Sequence, residues 1–267
     1  MYALNYVKAR SLEEAARMLA SHPEAKVLAG GMTLVPTLKQ RLARPSHLVD
    51  ILQLAELRGI AAKGGRLSIG AASRHDDVAT SVVVKKAIPA LAELAGLIGD
   101  PQVRNMGTIG GSLANNDPAA DYPAAVLGLG ATVFTNRREI AADEFFQGLF
   151  ATALEEGEII TRVVFAVPKR AAYAKFHHPA SGYAMAGVFI ALTRDGVRVA
   201  VTGAGPGVFR WKAAESALSK SLEPSALEGA ALDASELNQD IHASRDYRAN
   251  LVRVMAKRAL AKLSGKK

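Results

Sequence analysis

The sequence contains no cysteine. Disulfides, cysteine–zinc sites, cysteine-ligated iron–sulfur clusters and sulfur-linked cofactors are therefore excluded within this chain. Aromatic residues are also sparse, at 6% of 267 residues. The basic residues are dispersed rather than interleaved with aromatics, so the net charge of +8 reads as solvated surface, not as a nucleic-acid-binding face. No apolar run is long enough to span a bilayer, and the first 14 residues lack the apolar core of a signal peptide. The expectation is a cytoplasmic protein without a membrane span. The six histidines (His22, His47, His75, His177, His178, His242) show no H-x-x-x-H spacing, so no metal site is expected. What is present, 49% hydrophobic and 22% charged residues, describes a globular chain long enough for two domains.

Glycine, asparagine and aspartate concentrate in residues 98–123, IGDPQVRNMGTIGGSLANNDPAADYP. Within this stretch Thr108, Ile109, Gly110, Gly111 and Ser112 read as a short extended piece broken by paired glycines. Ala29, Gly30, Gly31, Met32 and Thr33 form a second stretch of this kind, after the apolar Val27-Leu28. Paired glycines let backbone N–H groups converge on an anion without Cβ obstruction. The working expectation is that the two loops hold the two phosphates of one dinucleotide. Alone, Gly30-Gly31 reads first as a strand-to-helix turn, and Thr108 to Ser112 is as much a turn as a phosphate loop.

In chain order, Ser11-Leu-Glu-Glu14 is a capping box opening a helix to about Ser21. A strand over 27–29 delivers the chain to the first glycines. Thr33 is expected to cap a helix carrying Leu34, Val35, Leu38 and Leu42, and residues 47–51 return as a strand. After the turn Lys63-Gly64-Gly65 come a strand over 66–71, a helix from His75, a helix over 88–98 and a small-residue helix over 122–129. Strands follow near 131–135 and 159–167. Pro168-Lys169-Arg170 is the expected boundary. Beyond it, strands over 183–192 and 197–201 turn at Asp195-Gly196, and residues 211–218 and 245–263 read as helices. The cluster Gly203-Ala-Gly-Pro-Gly207 fails as a nucleotide fingerprint, because the third glycine is missing and Pro206 interrupts the turn.

Four separated stretches, AGGMTLVPTL, VRNMGTIGGSLANNDPAADYPAA, KFHHPASGYAMAGVFIAL and DYRANLVRVMAKRAL, together resemble the flavoprotein medium subunit of molybdenum hydroxylases, of the carbon monoxide dehydrogenase and xanthine dehydrogenase type. The resemblance covers nearly the whole chain in one order. It implies an α+β fold: a vanillyl-alcohol-oxidase-type FAD-binding domain over 1–170, with two α/β subdomains (about 1–55 and 56–170). A C-terminal domain of small antiparallel sheet and helices would fill 171–267. It implies non-covalent FAD here, with molybdopterin on a large partner subunit and two two-iron–two-sulfur clusters on a small one, as a dimer of heterotrimers. Electrons would reach the flavin from the iron–sulfur subunit and leave to a quinone, dioxygen, NAD or a carrier protein.

The family's first pyrophosphate loop falls on Ala29, Gly30, Gly31, Met32 and Thr33, and its second on Thr108, Ile109, Gly110, Gly111 and Ser112. Asp121 falls where a carboxylate accepts hydroxyls of the adenosine half, while Lys175 and Tyr183 fall near the isoalloxazine ring. Read by pattern alone, Asp121 is the N-cap of the next helix, Tyr183 is a strand-face aromatic and Lys175 is a solvated lysine. Three positions depart from the family: Met32 replaces a histidine, and His177-His178 stands where many members have paired arginines. Ala114 stands where NAD-reducing members carry a bulky aliphatic. Two other readings stay open, a stand-alone flavin oxidase of the same fold and a cofactor-less basic binding module.

Overall fold

The computed structural model describes residues 1–265. The last two residues expected in the C-terminal domain, Lys266 and Lys267, lie outside the described residues.

The first unit runs β1 (Asn5–Lys8), α1 (Leu12–Ser21), β2 (Lys26–Leu28), α2 (Leu34–Lys39) and β3 (His47–Asp50). Its three strands are parallel in the order β1–β3–β2. Half of the expected capping box forms: Ser11 Oγ accepts the Glu14 N–H at 3.2 Å, but the Glu14 carboxylate accepts from the N–H of Arg10, the residue before the cap, instead of that of Ser11. The cap expected at Thr33 does not, since its side chain makes no capping hydrogen bond and its backbone is already helical.

The second unit begins with β4 (Ile60–Lys63) and β5 (Arg66–Gly70), then α3 (His75–Thr80), α4 (Val82–Ala87), α5 (Pro89–Gly96), α6 (Pro101–Arg104), α7 (Ile109–Asn115) and α8 (Tyr122–Gly128). It ends with β6 (Thr132–Thr135), β7 (Glu139–Ala141), α9 (Ala142–Phe145), the small hairpin β8 (Phe146–Gly148) and β9 (Ala151–Thr152), and β10 (Ile160–Ala166). The main sheet is antiparallel, β4–β5–β10–β6–β7. Gly64 and Gly65, at φ 59° and 74°, make the two-residue turn of a β4–β5 hairpin; both left-handed positions are ones that glycine occupies without strain. The helix expected over 88–98 forms as α5, and Pro89, with no N–H to continue a helix, separates it from α4. One expectation is corrected: Thr108 to Ser112 is not an extended piece, since Thr108 is an N-cap, its Oγ1 accepting the Gly111 N–H at 3.1 Å, and the glycines form the first turn of α7.

The chain leaves β10 at Ala166 and enters a second antiparallel sheet at Arg170, with β11 (Arg170–His177), β12 (Ala184–Leu192), β13 (Val197–Thr202) and β14 (Phe209–Arg210), followed by α10 (Lys212–Lys220) and α11 (Arg245–Leu263). Every residue of β12 but the last is buried. The continuous apolar run AMAGVFIAL reflects cover on both faces. Tyr173, Phe189 and Ala200 turn toward α8 and the second unit, while Ala174, Val188, Ile190 and Val201 join the core beneath α10 and α11.

Candidate functional site

The three units converge on one cleft of about 1160 Å³. Each glycine loop enters it for a local reason. Gly31 has φ 71°, a turn that carries the chain from β2 toward α2. Gly30 permits contact between the loops, because a Cβ there would lie 2.0 Å from the Met106 carbonyl oxygen and 2.8 Å from Gly107 Cα. Gly110 packs on Ala71, where a Cβ would come within 2.6 Å of another Cβ.

The two loops differ in what they leave free. Among the described residues, no protein acceptor takes the N–H groups of Gly30, Gly31, Met32 or Thr33. In the second loop the donors are partly spent on anchoring: Ile109 N–H donates to Ser73 O at 3.1 Å and Gly110 N–H to Ala71 O at 2.9 Å. Its contribution to the cleft is therefore the walls made by Thr108, Gly110, Gly111 and Ser112. Ile109 is fully buried in the second unit's core and does not line the cleft. All the other expected residues do line it, as does Ala114.

Asp121 and Lys175 form a buried ion pair at the wall. Lys175 Nζ lies 2.8 Å from Asp121 Oδ2 and 3.2 Å from Leu97 O, and the Tyr173 hydroxyl donates to Asp121 Oδ1 at 2.5 Å. Their side chains are 1% and 4% exposed, so the solvated-lysine reading is overturned. Asp121 makes no capping hydrogen bond, so the capping reading is overturned as well. Burial pushes the Asp121 carboxyl up, with the Lys175 ammonium and the Tyr173 hydroxyl opposing. Burial, then the Asp121 charge, holds the Tyr173 phenol well above its ordinary value. An ammonium has three donors, and two are used here. One remains for the cleft. Tyr183 stands at the rim, 45% exposed, and it is not a strand-core aromatic. Burial and the nearby Asp117 and Asp121 raise its hydroxyl.

The ion pair brings together Asp121, expected at the adenosine half, and Lys175, expected near the ring: their charged groups lie 2.8 Å apart in the wall of the cleft. Sequence reasoning also missed Ala71, Ala72, His75 and residues 154–160, all of which line the cleft. No local signal marks them, because contacts distant in sequence bring them in: the β5–β10 pairing for the strand ends, and the Gly107 O bond with the Arg74–Thr108 bridge for His75.

Residues 2–169 match the family model of the FAD-binding domain in molybdopterin dehydrogenase. The chain belongs to this family. The carbon monoxide dehydrogenase medium chain of Hydrogenophaga pseudoflava is 37% identical to it, over 96% of this chain and 95% of that one. The glyceraldehyde dehydrogenase medium chain of Sulfolobus acidocaldarius is 33% identical, over 97% and 98%. Reconstituted CO dehydrogenase from Oligotropha carboxidovorans superposes with a TM-score of 0.93 at 31% identity, covering 100% of this chain and 99% of that one. As a member of the family, this chain is an FAD-binding subunit of the molybdenum hydroxylase class of oxidoreductases, and its fold is that of the CO dehydrogenase medium chain. The cleft fits the family's cofactor: four successive free N–H donors suit a pyrophosphate, and a spare ammonium donor suits oxygen-rich groups. Among the described residues there is no metal-holding cluster of histidine and carboxylate, and no helix is long and apolar enough to cross a membrane.

Proposed function

We propose that this chain is the electron-transfer flavoprotein of a molybdenum-containing dehydrogenase or hydroxylase, taking electrons from an iron–sulfur small subunit and passing them to an external acceptor. The observation that carries the reading is the convergence of both glycine loops and the Asp121–Lys175 pair on one cleft, in a chain of this family. When bound, FAD supplies the two-electron and one-electron chemistry that such a relay needs. The chain supplies position and electrostatics. Gly30, Gly31, Met32 and Thr33 receive the pyrophosphate on free N–H groups at the turn that Ala29 opens, while Thr108, Gly110, Gly111 and Ser112 wall it in, with Ile109 holding that loop to the core. Lys175, its charge balanced by Asp121, offers its spare N–H to an oxygen of the cofactor, and Tyr183 borders the exposed edge.

In this reading residues 1–170 are the FAD-binding domain, with subdomains about 1–55 and 56–170, and residues 171–267 are the C-terminal domain. FAD is held without a covalent link. Molybdopterin and two-iron–two-sulfur clusters reside on the large and small partners in a cytoplasmic dimer of heterotrimers. Relatives named for carbon monoxide and for glyceraldehyde support an oxidised substrate chosen by the large subunit, not by this chain. The test is rapid mixing of the purified native complex with its reducing substrate. Bleaching of flavin absorbance after that of the iron–sulfur clusters supports the relay; clusters that stay reduced beside an oxidised flavin refute it.

A further inference from the structure

Beneath the second glycine loop lies a group whose role the family assignment leaves open. His75 opens α3, and its backbone N–H donates to Gly107 O at 2.9 Å, beside the Arg74–Thr108 bridge. The imidazole is wedged under that loop, since a Cβ at Gly107 would stand 2.5 Å from Nε2. His75 is 5% exposed and lines the cleft. Nδ1 is sealed from solvent and unpartnered, whereas Nε2 is not sealed. A sealed N–H without an acceptor is rarer in folded proteins than a sealed lone pair, so the single proton belongs on Nε2. Burial and the neighbouring Arg104 charge both oppose a second proton, and push the imidazole down to about 4. The other ring packed on it, Tyr122 at 5.3 Å, offers Nδ1 no hydrogen bond.

We propose that His75 is a cofactor-binding residue, its Nε2–H donating to an oxygen of the bound dinucleotide, either a phosphate oxygen or a sugar-alcohol hydroxyl. The proposal rests on the FAD reading above. A neutral donor at this place discriminates by hydrogen bonding without adding charge to a cleft that already holds the Lys175 ammonium.

The experiment measures FAD affinity by fluorescence titration of the full chain for wild type, His75→Leu and His75→Gln, with melting temperatures recorded without ligand. The glutamine amide places an N–H near the position of Nε2. Binding about ten-fold weaker in His75→Leu, restored in His75→Gln, is expected for one lost hydrogen bond. Equal affinity in His75→Leu, or a loss that His75→Gln does not restore, overturns the proposal. Titrations with ADP and with riboflavin then separate the sources: a His75→Leu deficit confined to ADP identifies a phosphate oxygen, one confined to riboflavin identifies the sugar alcohol, and a deficit with neither overturns it. Should His75→Leu not fold, nitrogen NMR of the wild-type imidazole decides. A proton on Nε2 whose resonance shifts when FAD binds supports the proposal, and an Nε2 signal unmoved by FAD overturns it. A wild type that binds no FAD refutes the underlying reading instead.

Discussion

At the residue scale, the buried charges are the most exposed to test. Lys175 and Asp121 neutralise each other inside the protein, and removing one partner leaves an unpaired buried charge. Lys175→Ala is expected to cost about 3–5 kcal/mol in urea unfolding. The double replacement Lys175→Met with Asp121→Leu is expected to cost less than the single one, because it leaves no charge behind. His75 sets a pH dependence. It is held at about 4, below its ordinary value of 6.5, so between those values the unfolded chain binds more protons than the folded one. Stability is then full above pH 6.5 and falls as pH drops toward 4, by at most about 3 kcal/mol. Unfolding curves at pH 7 and pH 4.5 for wild type and His75→Gln check this; the variant is expected to lose less. Glu158 adds to acid sensitivity at a lower pH. Opposing its own burial, Arg138, the Glu155 N–H and Thr135 hold it to about 2, so its contribution is present above the ordinary carboxylate range and is lost as pH falls toward 2.

At the element scale, the two glycine loops work as a pair of touching backbones. Gly30→Ala would drive a methyl group into the Met106 carbonyl, so it is expected to separate the loops and lower bound flavin severalfold while leaving α11 and the C-terminal sheet folded. Flavin released per mole of chain, set beside a circular dichroism spectrum, measures both. Asn116 closes α7 at φ 43°, and its amide donates to Gly148 O at 2.9 Å and Ala151 O at 2.7 Å. Asn116→Ala therefore removes the tie between α7 and the β8–β9 hairpin, at about 1–3 kcal/mol. These elements also mark what the sequence could reveal. Paired glycines after an apolar or hydroxyl-bearing stretch are a local signal, so both loops were legible. That the second is a helix start was not, because Ile-Gly-Gly-Ser opposes helix by propensity and is held helical by distant carbonyls of Ala71 and Ser73. His75 and residues 154–160 stayed hidden for a related reason: contacts distant in sequence place them, the Gly107 O bond and the Arg74–Thr108 bridge for His75, and the entry into β10 for residues 154–160.

At the scale of the whole molecule, the strands and helices expected from the sequence largely form, but the expectation passes over the eight-residue β11, together with shorter segments such as β1, α4, α6, α7, β4, β7 and the β8–β9 hairpin. The short ones span too few residues to show a period, and β11 is buried through four consecutive central residues and so shows no alternation. Resemblance across four stretches carried the family, whereas the Asp121–Lys175 contact needed coordinates, since 54 positions separate the two. The central claim is that this cleft holds one FAD without a covalent bond. The most direct measurement is the visible spectrum of the purified chain, supplied with FAD if none is retained, with the flavin identified after denaturation. The account predicts flavin absorbance and close to one equivalent of released FAD. FMN in its place would contradict the dinucleotide assignment, and a chain that stays colourless both alone and in its native complex would contradict the account as a whole.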